Sequence, residues 1–143
     1  MTAPSRILVG VDGSVHAEGA LRWATDLGAA LGAEVIAVHA LGMLSNLRAR
    51  AASTPSHEHH EEVRGLLENE WTQALRSSGV SYRCLLVDGN PVLALMHVAE
   101  EQDAGLIVVG TRGAGGFPGL QLGSTSHQLL QHARVPVVAV PHQ

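Results

Sequence analysis

Residues 7–14 read Ile-Leu-Val-Gly-Val-Asp-Gly-Ser. Ile7 to Val11 form an apolar run without polar alternation, the pattern of a strand buried on both faces. Asp12-Gly13-Ser14 interrupts it. Gly13 permits a tight turn, and Ser14 is a residue type that caps helix N-termini. Beyond the turn, Ala17, Ala20, Leu21, Ala24, Leu27, Gly28 and Leu31 recur at three- and four-residue intervals, giving a helix one apolar face. A buried strand that feeds an amphipathic helix is the opening of a βαβ unit.

The same alternation continues along the chain. Further apolar segments are Glu34–Ala40, Ser81–Val87, Leu106–Val109 and Val135–Val140. A second helix is expected from Glu58 to Ser77, ending at Ser78-Gly79, where glycine supplies a left-handed stop. A third begins at Pro91, a residue suited to a first helical turn, and carries Leu95, Met96 and Ala99. A fourth starts near Ser124 and carries Leu129 and Leu130. Strand–helix alternation of this kind implies an α/β fold, a three-layer doubly wound five-stranded parallel sheet with helices on both sides. Right-handed crossovers point to strand order 3-2-1-4-5. Residues 1–143 read as one domain, with Leu41–Ser56 as its long loop.

Composition limits the function. At 143 residues and 45% hydrophobic content the chain can bury a core without a disulfide or metal staple. The single cysteine, Cys84, suits a reducing compartment. The polar start and the absence of a long apolar run give no signal peptide or membrane span, so a cytoplasmic location is expected. Net charge is -4, and all nine basic residues are arginine. That balance, with so few aromatic residues, lacks the footprint of a nucleic-acid binder. Without lysine there is no GxxxxGK[ST] phosphate loop. A bound anion must rely on backbone amides, helix dipoles, hydroxyls, arginine or a cation.

In an open parallel sheet, ligands bind beyond the strand C-termini where the winding reverses, here between strands one and four. Both loops at that point are unusual. After strand one, Asp12 and Ser14 suit a ribose hydroxyl, a water or a cation, while Ser14 is equally suited to cap the helix. After strand four the chain reads Gly110-Thr111-Arg112-Gly113-Ala114-Gly115-Gly116-Phe117-Pro118-Gly119-Leu120-Gln121-Leu122-Gly123-Ser124. Its glycines allow a ligand to approach the backbone closely. Gly123 then leads into a helix starting Ser124, Thr125 and Ser126, whose free amides and hydroxyls form an anion site that needs no lysine. Arg112 adds a fixed positive charge.

The spacing Gly110, Gly113, Gly123-Ser124 resembles the G-x2-G-x9-G-[ST] signature of ATP-binding universal stress proteins. The segments 7–14, Val-Asp-Gly-Asn-Pro (87–91), Asp-Ala-Gly-Leu-Ile-Val-Val-Gly (103–110) and Val-Pro-Val-Val-Ala-Val (135–140) are similar to the same family. The resemblance implies an adenine-nucleotide α-hydrolase-like fold that binds ATP with Mg2+. Asp12, with Gly10 and Ser14 nearby, would lie by the ribose or the phosphate-bound cation. The backbone around Ala40 would meet adenine. Gly110, Thr111, Arg112, Gly113, Ala114, Gly115 and Gly116 would wrap the ribose and phosphates. Gly123, Ser124, Thr125 and Ser126 would contact the phosphates. It also implies a homodimer through Val135–Val140, an edge strand that needs covering.

Other features carry less. His57-Glu58-His59-His60-Glu61 misses the HExxH zinc pattern and reads as a polar helix face rather than a metal site. His39, inside strand two, reads as a packed, hydrogen-bonded residue. His127 and His132 read as helix-surface residues, and Cys84 as a small buried hydrophobe. There is no GxSxG elbow or dedicated catalytic base. The expected function is therefore a nucleotide-dependent regulatory or stress-response module, not an enzyme. A slow ATPase and a nucleotide-free, chaperone-like interaction protein are the competing readings.

Overall fold

The apolar runs become five parallel strands in the order β3-β2-β1-β4-β5. A computed structural model describes residues 2–42, 57–112 and 122–142. The elements are β1 (Arg6–Gly10), α1 (Val15–Leu31), β2 (Glu34–Ala40), α2 (His57–Gly65), a π-helical turn (Leu66–Glu70) and α3 (Gln73–Arg76). They continue with β3 (Tyr82–Val87), α4 (Pro91–Glu101), β4 (Leu106–Gly110), α5 (Ser124–His132) and β5 (Val137–Val140). Val11 lies just past β1, and β5 starts two residues later than the apolar run suggests, with Pro136 before it. A proline has no amide to give to a ladder, so pairing through its own N–H is impossible.

Strand alternation divides the core into two layers. Ile7 and Val9 pack with Ala20, Leu21 and Ala24 of α1 and with Leu67 and Leu75. Leu8 points to the opposite layer with Leu95, Val98 and Ala99 of α4 and Leu129 of α5. Successive side chains of a strand face opposite sides, so a continuous apolar run is what a doubly covered sheet demands. The helix ends are specified locally. Ser14 Oγ accepts from the Ala17 amide at 3.1 Å, and Gly32 closes α1 at φ 67°. Asn90 Oδ1 accepts from Val92 N at 2.9 Å, with Pro91 opening α4.

The second helix differs from the expected continuous segment between Glu58 and Ser77. Trp71 N donates to Leu66 O at 2.9 Å, five residues back. The fully buried Thr72 also donates its hydroxyl to Leu67 O at 2.7 Å. These wide bonds insert a π turn, a feature that interrupts regular helices and shifts the side chains after it around the axis. Trp71 follows directly on this turn. The left-handed stop at Gly79 forms as expected, with φ 77°.

Leu95 is 1% exposed in the α4 layer, and its removal should leave a cavity that close-packed neighbours fill only in part. Leu95→Ala should cost about 2–5 kcal/mol in urea unfolding. A cost below about 1 kcal/mol would contradict this packing.

Candidate functional site

β1 and β4 are adjacent and parallel, with Ile7 beside Leu106 and Val9 beside Val108. Their connections leave toward opposite layers, which opens a crevice past their C-terminal ends. Val11, Asp12, Gly13 and Ser14 form one lip. Thr111, Arg112, Leu122 and Gly123 form the other.

On the first lip, Asp12 is 4% exposed. Its Oδ1 accepts from the Ser14 amide at 2.9 Å, a turn in which an aspartate supports the backbone two residues on. The Ser14 hydroxyl accepts from Ala17 N and caps α1. Both side chains therefore hold the loop in shape. Gly13 sits at φ 82°, and a Cβ there would lie 2.8 Å from Cε2 and Nε1 of Trp71. Gly10 faces Leu95 and Val109 in the core beneath the crevice. Ala40 is fully buried at the end of β2, in register with Val87.

On the second lip, the Thr111 amide donates to Val140 O at 3.0 Å, and the Thr111 carbonyl accepts from Gly123 N. This bond draws the return of the glycine loop back to its departure. Gly123 is buried and precedes α5 in an extended conformation, with no side-chain cap. Ser126 is 3% exposed and donates its hydroxyl to Gly110 O at 2.5 Å. Ser124 is exposed and Thr125 half-buried. The first amides of a helix have no intrahelical acceptor, so the start of α5 offers N–H donors and the positive end of a dipole. Arg112 is half-buried at the loop's start. Gly113, Ala114, Gly115 and Gly116 lie outside the described residues.

Gly110 has a second role besides flanking the crevice. A Cβ there would lie 2.8 Å from the carbonyl oxygen of His16. Glycine therefore allows the first turn of α1 to rest against the end of β4, which brings the two lips together.

Three residues at the site carried no signal in the sequence analysis. His16 and His142 meet edge to face, with ring centroids 4.7 Å apart. Trp71 covers Gly13 and meets His39 at 5.0 Å. It also lines a groove of about 640 Å³ beside the first lip, bounded by Ser14, Glu18 and Arg22 on one side and Gln73 and Ser77 on the other. His39 is packed and hydrogen-bonded as expected, with Nδ1 2.7 Å from Val11 O. Burial pushes its pKa down, opposed by the Val11 carbonyl and Asp12. Burial likewise pushes the Cys84 thiol up. Cys84 is half-buried beside Thr72. His127 and His132 are exposed on α5.

The remaining cluster is only partly a polar face, because His59 and His60 are half-buried with buried Nε2 atoms. His57, Glu58, Glu61 and Glu62 are exposed, and His60 lies 3.7 Å from Asp88. Among the described residues no three or more His, Cys, Asp or Glu side chains gather to hold a metal ion. No helix among them is long and apolar enough to cross a membrane.

Comparison with known proteins adds a family. The model of the Universal stress protein family matches residues 4–141. Universal stress protein YxiE of Bacillus subtilis is 30% identical over 95% of this chain and 98% of its own length. A universal stress protein in complex with cAMP superposes with a TM-score of 0.74 at 25% identity, covering 99% of this chain and all of the other. The universal stress protein from Archaeoglobus fulgidus in complex with dAMP gives a TM-score of 0.72 at 25% identity, over 94% of this chain and 95% of the other. Against Universal stress protein Rv2005c of Mycobacterium tuberculosis, 34% identical over 92% of this chain, the match spans only 44% of the relative's length.

The close contact at Gly110 makes a prediction. Gly110→Ala should drive α1 away from β4 and lower stability by about 1–3 kcal/mol, because the new methyl would meet the His16 backbone and not the end of a flexible side chain. A thermal midpoint equal to that of the parent would show that the two lips are not held this way.

Proposed function

This chain belongs to the universal stress protein family, and from that premise we propose that it binds ATP, carried with Mg2+, across the crevice between β1 and β4. The observation that supports this most is the fastened N-terminus of α5. Its first amides, Ser124, Thr125 and Arg112 all belong to one lip, and an anion needs no lysine there. The structural neighbours solved with cAMP and dAMP support an adenine nucleotide as the ligand class.

In this reading the triphosphate lies along Gly123–Ser126 and the glycine loop from Gly110 to Gly116. Ribose faces the Asp12–Ser14 loop, and adenine lies toward the backbone at Ala40. Asp12 supports the loop through Ser14 N. The described residues offer no ready cage for a metal, which favours Mg2+ travelling on the phosphates, as it does at many nucleotide sites. The Ser126 hydroxyl gives its proton to Gly110 O, so its oxygen can only accept further bonds. It serves chiefly to hold α5, while Ser124 and Thr125 face the ligand. The protein then acts as a cytoplasmic, nucleotide-dependent regulatory module within a single domain. Nucleotide occupancy alters its partners or the order of its loop instead of driving turnover.

A homodimer through β5 belongs to the same proposal. Val137, Val138, Ala139 and Val140 are all half-buried, and β5 is the last strand of the sheet. An uncovered apolar edge invites pairing with a second copy. Val138→Lys should shift the sedimenting species from dimer to monomer at micromolar concentration. A parent chain that sediments as a monomer would exclude this interface.

Two measurements test the nucleotide. The purified chain, denatured without added nucleotide, should release ATP. ADP or AMP would favour a slow ATPase, and an empty chain would favour an interaction protein that uses the scaffold alone. Ser124→Glu should then weaken ATP binding about tenfold or more by calorimetry. The same substitution should leave stability unchanged or slightly higher, because a carboxylate suits a helix N-terminus. Undiminished affinity would place the phosphates elsewhere.

A further inference from the structure

His39 is the one fully buried ionisable side chain in β2, a strand otherwise apolar after Glu34. Its Nδ1 lies 2.7 Å from Val11 O, so the neutral ring carries its proton there and donates it. That carbonyl belongs to the peptide that joins Val11 to Asp12. The other nitrogen, Nε2, is buried and has no hydrogen-bond partner among the described residues. In the neutral ring Nε2 is only an acceptor. Protonation turns it into a charged donor with no acceptor among the described residues, and a buried charge without a partner is expensive.

The same ring stands edge-on to Trp71, at 5.0 Å and 63°. Trp71 in turn rests against Gly13, where a Cβ would come within 2.8 Å of the indole. His39 thus reaches the Asp12–Ser14 loop by two routes, through the Val11 carbonyl and through the indole. We propose that His39 and Trp71 are positioning residues for this loop, and that protonation of His39 loosens it. The consequence for ATP affinity rests on the nucleotide reading above; the coupling of His39 to the loop does not.

The surroundings set the direction. Burial is the largest influence and holds His39 below its ordinary value of 6.5. The Val11 carbonyl and Asp12, on the β1 side, favour the imidazolium, and His59 of α2 opposes it. β3 presents Leu86 in register with His39, and the π turn delivers the uncharged indole. Below 6.5 a loosened state, in which the ring meets water, binds a proton that the closed state lacks. The closed state is then progressively disfavoured as pH falls. Above 6.5 both states hold a neutral ring and the effect vanishes.

The test uses the full chain carrying Trp23→Phe, so that emission reports Trp71 alone. Emission is followed from about pH 8 to about pH 5 without nucleotide, alongside far-UV circular dichroism, over the range where neutral histidine charges. ATP with magnesium chloride is titrated calorimetrically at both ends. The expected result is an emission transition with its midpoint below the ordinary histidine value, at constant secondary structure. ATP affinity should fall about tenfold or more at the acid end. His39→Asn keeps an amide donor for Val11 O and cannot titrate. It should abolish the emission transition and reduce the acid loss of affinity to about twofold. Trp71→Phe, which retains a smaller ring, should weaken ATP binding several-fold near pH 8 while keeping its acid dependence.

An emission transition that persists in His39→Asn overturns the proposal, as does parental emission that stays flat while secondary structure is retained. If ATP fails to bind at any pH yet the His39-dependent emission transition is present, the nucleotide reading falls and the positioning role stands.

Discussion

Gly123 donates its amide to the Thr111 carbonyl, and Ser126 donates its hydroxyl to the Gly110 carbonyl. These two bonds fasten the first turn of α5 to the end of β4, and the candidate site depends on them. A helix N-terminus binds an anion only as well as its amides are held in place. Donors on an untethered helix would have to be ordered by the ligand, and that ordering would be subtracted from affinity. Here the sheet orders them beforehand. Both acceptors are backbone carbonyls at the end of β4, and the tether adds one side chain to them, the Ser126 hydroxyl.

The other lip is held by a different kind of contact. Asp12 and Ser14 direct their side chains into their own loop and helix, so the loop's shape is a local property. Its position against the rest of the protein is not. Gly110 lets His16 approach from α1, and Gly13 lets Trp71 approach from the π turn. At both places a missing Cβ is what admits the neighbour. The glycines that read in sequence as room for a ligand therefore also serve as room for the protein itself.

That double use explains what the sequence made legible. Buried parallel strands announce themselves by apolar runs, and each predicted run contains an observed strand core, from Ile7 in β1 to Val140 in β5. The strand order followed because crossovers have a preferred hand. Ser14 was legible as a cap and Gly123-Ser124 as a helix start because both signals are local. The break in the second helix was not. It depends on Thr72 being buried deeply enough to bond Leu67, and nothing in the residues from Glu58 to Ser77 states that depth. Trp71 was invisible as a site residue for the same reason: its partners, Gly13 and His39, come from β1's loop and β2. The residues Gly113 to Gly116 were legible as a glycine loop, and they lie outside the described part of the structure.

The two lips also differ in what can disturb them. The α5 lip is tied by amide, carbonyl and hydroxyl groups, none of which changes charge near neutral pH. The β1 lip leans on an imidazole whose second nitrogen has no partner among the described residues. Its geometry is therefore the more sensitive to protons, although its hydrogen bonds are the more local. In a crevice built from two halves, a ligand that touches both must wait for the less constrained one. That half is set by the contact between His39 and the carbonyl of Val11, one peptide before the loop begins.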